Sequence, residues 1–102
     1  MQNTQEKPLY FYVANLGSEI QRVLGWKEKG DKEAMQNAYQ RAIGIIATIR
    51  NFGNANASAE MNMLESALCH ITENNENLTV EKKELSIYFY PFALRVAQES
   101  LK

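Results

Sequence analysis

The sequence holds one cysteine and one histidine in 102 residues. A lone Cys69 excludes an intrachain disulfide and a thiolate cage around a metal, and a lone His70 leaves no second imidazole for a paired-metal site. With two prolines and five glycines, the chain has few natural breaks. Charge of one sign is missing too. Eleven Lys and Arg stand against twelve Asp and Glu, a formal charge of -1, so the positive field that generic polyanion binding needs is absent. No apolar run approaches the roughly 18 residues of a membrane span, which excludes a transmembrane segment. Met1 to Gln5 show no basic stretch leading into an apolar one, so the cytoplasm is the expected compartment.

What is present is a chain 45% apolar, the proportion of an ordinary globular domain. Two separate cores would each fall near the size where folding alone becomes marginal, so a single helical domain over residues 1–102 is expected. Breaks cluster at Gly30-Asp31, at Asn51 to Ser58 and at Glu73 to Thr79. Between them apolar residues recur at spacings of three and four, which is helical periodicity. The fold class is therefore all-α, an antiparallel up-and-down four-helix bundle with helices near 9–29, 32–51, 58–73 and 79–100.

Pro8 suits a first helical turn, where its missing N–H has no partner, and Leu9, Val13, Leu16, Ile20, Val23 and Leu24 form the inward stripe that follows. Gly30 is placed to end this helix and Asp31 to cap the next. The second helix is the most regular in the chain: Met35, Ala38, Tyr39, Ala42, Ile45, Ile46 and Ile49 share one face, opposite Gln36, Asn37, Gln40 and Thr48. Ser58 is the expected cap of the third, with Met61, Leu64, Leu68 and Ile71 inward. Thr79 should open the fourth, and Pro91 should kink it near 87–91.

Gly30-Asp31-Lys32-Glu33 followed by Ala38-Tyr39-Gln40-Arg41-Ala42-Ile43 resembles the second helix of a tetratricopeptide repeat over about fourteen residues. The preceding helix departs from that pattern. Glu19, Arg22 and Val23 stand where the repeat has Trp, Leu and Gly, and Ala47 stands where it closes on Pro, so the repeat's peptide-binding groove is not carried over.

Enzyme chemistry finds no handle. Cys69 and His70 are adjacent, and adjacent helical positions point about 100° apart, so a Cys–His pair is not expected. Paired-iron sites in helical bundles use Glu-x-x-His, whereas Glu65 is followed at that spacing by Leu68. Phosphate-cradling glycine motifs are lacking. No catalytic residue, cofactor or metal ligand is expected, and Cys69 and His70 are read as chemically idle.

Helix four differs from the others. Leu85, Phe89, Phe92 and Val96 form one apolar stripe, while Val80, Ile87, Tyr90, Leu94 and Leu101 form a second on another face. A helix apolar on two sides is buried on two sides unless the Pro91 kink merges the stripes. Phe11, outward on helix one, is surplus in the same way. Phe11, Ile87, Tyr90, Leu94 and Leu101 thus form the expected interface, and the expected function is protein–protein contact, as a homodimer or with an unidentified protein partner, without membrane association. The alternative is a nucleic-acid-binding accessory role using Arg22, Lys27, Lys29, Lys32 and Arg41 around Trp26, although Glu28, Asp31 and Glu33 interleave with these and argue against it.

Overall fold

The computed structural model describes residues 7–73, 89, 91–96 and 98. It is all-helical, with three long helices, α1 (Leu9–Lys29), α2 (Lys32–Arg50) and α3 (Ala55–Glu73), and a short one, α4, over residues 91–96. There is no strand among the described residues.

The turn between α1 and α2 follows from its two residues. Gly30 takes the left-handed conformation at φ 80°, its N–H donates to the Lys27 carbonyl at 3.1 Å, and the Asp31 N–H reaches back to the Trp26 carbonyl at 3.0 Å. The Asp31 carboxylate then accepts the Ala34 N–H at 3.0 Å, satisfying one of the free amides that open α2. So sharp a reversal lays α2 back along α1. A second left-handed glycine, Gly53 at φ 74°, lies between α2 and α3. The cap of α3 is Asn54 rather than Ser58: the Asn54 carboxamide oxygen accepts the Ala57 N–H at 3.0 Å, and α3 begins three residues sooner than the periodicity suggests. The Ala and Asn residues of 54–57 look like a loop only because they carry no apolar stripe. α2 ends at Arg50, one residue short of expectation.

The core is built from the stripes read in the sequence. Val13, Leu16, Ile20, Val23 and Leu24 of α1, Met35, Ala38, Ala42, Ile46 and Ile49 of α2, and Met61, Leu64, Leu68 and Ile71 of α3 are all buried. Leu9, Tyr39 and Ile45, expected inside, are only partly buried and pack on its edge. α4 adds Phe92 and Val96, and Phe89 joins them. The Phe89 ring lies against α1, with two of its carbons 3.1 Å from where a Cβ on Gly17 would stand. Arg95 reaches α3, its Nη2 lying 3.5 Å from Glu60 Oε2. Leu85, the start expected at Thr79 and, apart from 89 and 91, the residues 87–91 where the kink is expected lie outside the described residues. Among the described residues, no helix is long and apolar enough to cross a membrane.

One buried side chain belongs to no apolar stripe. Glu19, only 8% exposed, lies on the inner side of α1 and is the one charged residue buried among those described. Its carboxylate accepts from Arg22 Nη1 at 2.9 Å, one turn along α1, and from Arg41 Nε at 3.0 Å, across on α2. Both arginines are about half exposed, so the pairs sit at the boundary of the core.

Two consequences are measurable. Ala42 is fully buried amid isoleucines, so Ala42→Phe should overpack the core and lower unfolding free energy by roughly 1–3 kcal/mol in a urea titration. Gly44 is helical and has nothing within 4 Å of an added Cβ, so Gly44→Ala should stabilise by about 0.5–1 kcal/mol. Gly17→Ala should gain less than Gly44→Ala in the same titration, because its methyl must push the Phe89 ring outward.

Candidate functional site

Three places were marked by the sequence: the Cys69–His70 pair, the basic residues around Trp26, and the surplus apolar side chains. The first two adjoin, since Glu73 lines both the Cys69–His70 groove and the cleft that holds Lys27 and Lys32.

Cys69 and His70 both line an open, polar groove of about 510 Å³ between α2 and α3, with Tyr39, Arg50, Glu65 and Glu73. Helical spacing puts Asn62, Glu65, Cys69 and Glu73 along one side of α3. Arg50, in the last turn of α2, donates through Nη2 to Asn62 Oδ1 at 2.8 Å and to Glu65 Oε1 at 2.7 Å, so the groove's one arginine is bound to its own wall. The Cys69 thiol donates to Glu73 Oε2 at 3.3 Å. That bond raises the thiol pKa above its ordinary value, with partial burial and the charge of Glu73 adding to it and the Tyr39 hydroxyl working weakly against it. Tyr39 is raised as well, by burial first and by Cys69 second. A thiol held protonated at neutral pH is a poor nucleophile and a poor metal ligand. Among the described residues, no group of three or more His, Cys, Asp or Glu side chains is arranged to hold a metal ion. The sequence counted Tyr39 with the core and placed Cys69 off the apolar stripe; only the packing of α2 on α3 brings the two together.

The basic residues are dispersed by their partners. Arg22 and Arg41 hold Glu19. Lys27 donates to the Ile71 carbonyl near the end of α3, where a cation also suits the helix dipole. The Lys29 ammonium stands 5.0 Å from the centroid of the Trp26 ring, and Lys32 lines a cleft of about 300 Å³ beside Asp31 and Gln36.

Of the apolar set, Phe11 is 38% exposed and Leu94 59% exposed, while Ile87, Tyr90 and Leu101 lie outside the described residues. The structure adds residues that the sequence did not mark. Tyr10 and Phe52 are also exposed, and ring contacts join Phe11 to Tyr12 at 5.3 Å and Tyr12 to Phe52 at 5.9 Å between centroids. An aromatic ring chain therefore links the start of α1 to the α2–α3 turn. The signal was an aromatic inside the turn Asn51-Phe52-Gly53-Asn54, where polar residues are usual.

The thiol is open to direct test. The pH midpoint for alkylation of Cys69 by iodoacetamide should lie above the ordinary thiol value of about 8.5, and Glu73→Gln should lower it by removing both the charge and the stronger acceptor. Equal midpoints in the two proteins would mean that Glu73 does not hold the proton. The chain matches no protein-family model, no curated protein and no solved structure.

Proposed function

We propose that this protein works by protein–protein contact, as a self-associating helical module without chemistry of its own. The observation that carries the reading is the set of large apolar side chains left in water. Among the described residues, Tyr10, Phe11, Phe52, Met63 and Leu94 are between 37% and 59% exposed. Scattered single residues of this kind are normal on monomers, but two of these five, Phe11 and Phe52, are joined through Tyr12 into one aromatic group, and grouped apolar surface marks contact sites. In the α2–α3 groove, by contrast, Arg50 is bound to Asn62 and Glu65, and Cys69 to Glu73. Nucleic-acid binding would need Arg22, Lys27 and Arg41 free for phosphate, and each has a partner within the fold.

The same reading takes α4 as the end of a fourth antiparallel helix. Passing from Phe89, beside Gly17, to Arg95, beside Glu60, carries the chain toward the end of the molecule where α1 and α3 begin. An up-and-down bundle requires that direction.

Light scattering coupled to gel filtration tests the proposal. A homodimer should elute at about twice the chain mass of 11.6 kDa across micromolar loading concentrations. A single species at 11.6 kDa at the highest attainable concentration would remove self-association.

A further inference from the structure

The exposed aromatic group is built from two uncharged stretches of the chain, bounded by Lys7 and Arg50. From Pro8 to Ser18 and again from Asn51 to Ala59 there is no Asp, Glu, Lys or Arg, and ring contacts through Tyr12 join the two stretches into one end of the molecule. The opposite end is its inverse: six of the seven residues from Lys27 to Glu33 are charged. Most of the side chains that complete the aromatic end are also in water, among them Tyr10, Phe11, Asn15, Phe52 and Asn54. Lys7, over the Phe11 ring at 5.5 Å, stands at its margin.

This distribution bears on which partner fits. In a two-fold contact each residue near the axis meets its own copy, so a charge there meets a like charge and loses its water as well. A surface of Tyr, Phe, Asn, Gly, Ala and Ser has neither cost. Tyr and Phe bury large area for few rotatable bonds, and Asn and Ser, each both donor and acceptor, can bond to identical groups across the axis. Building on the self-association proposed above, we infer that the partner at this end is a second copy of the chain, with the two-fold axis passing between Phe11 and Phe52 rather than across Leu94. The charged end, which would have to strip water from six ionised groups, stays in solvent. Leu94 remains peripheral to the contact.

Four proteins distinguish the possibilities: the parent, Asn15→Glu, Phe52→Glu and Leu94→Glu, each checked for unchanged helicity by far-ultraviolet circular dichroism. Asn15 is exposed on α1, so a glutamate there leaves the core untouched and introduces only a like-charge pair at the axis. In sedimentation equilibrium, Asn15→Glu and Phe52→Glu should each weaken the dimer by at least about tenfold, with Leu94→Glu within about threefold of the parent. The parent's dissociation constant should also move less than about threefold between 0.05 and 0.5 M salt, because the two stretches that form the contact carry no charge and Lys7 stands only at its edge. A parent dimer split by Leu94→Glu but indifferent to Asn15→Glu and Phe52→Glu would overturn this placement and leave self-association standing. A monomeric parent would overturn both.

Discussion

A carboxylate taken out of water at the edge of an apolar core is costly unless charged donors meet it, and Glu19 is such a carboxylate. One donor, Arg22, comes from the same helix and fixes the side chain's direction. The other, Arg41, comes from α2 and can reach Glu19 only when the two helices stand in one register. Sliding α2 by a turn, about 5.4 Å, would leave Glu19 buried with half its partners. The pairing therefore favours one alignment of Leu16, Ile20 and Val23 against Ala38, Ala42 and Ile46. α3 and α4 are then built on an α1–α2 pair whose register is already set.

Several polar side chains among the described residues bind one another or the backbone across helices. Arg50 ties the end of α2 to α3 through Asn62 and Glu65, Lys27 closes the last turn of α3, and the Cys69 proton is held by Glu73. Each of these contacts joins or trims helices. Among the described residues, large apolar side chains left exposed include Tyr10 and Phe11 near the start of α1 and Phe52 in the α2–α3 turn, with Met63 on α3 and Leu94 on α4.

How much of this could be read from the chain depends on whether the cause was local. Helical stripes are local, and they placed α1 to its last residue and α2 to within one. The caps at Gly30 and Asp31 are local as well, since backbone preference and a carboxylate one residue on decide them. Asn54 is not legible as the cap because Ser58 sits nearer the first apolar residue of the stripe, Met61, and a helical turn without such a residue leaves no periodic signal. Glu19 was invisible for a different reason. Its burial depends on Arg41, which is 22 residues away and comes close only after the hairpin has formed. The Phe11–Tyr12–Phe52 chain was hidden in the same way, since Phe52 meets Tyr12 only across two helices. In helix four, Phe89, Phe92 and Val96 were correctly read as inward, and Leu94 stays out of the core.

The two-residue connection at Gly30-Asp31 also shapes how the chain reaches this state. Joining helices of 21 and 19 residues through so short a link makes the most extensive contact among the three long helices also one of short average sequence separation. Little loop entropy is lost before the first tertiary contacts form, because residues on either side of the turn are already neighbours. Chains dominated by such near-neighbour contacts fold in microseconds to milliseconds. The α1–α2 hairpin is thus the natural nucleus, built outward from its turn, and the Glu19–Arg41 pair closes partway along it. A defect at Gly30 would then act mainly on the rate of folding, whereas a defect in α4 would act mainly on the rate of unfolding.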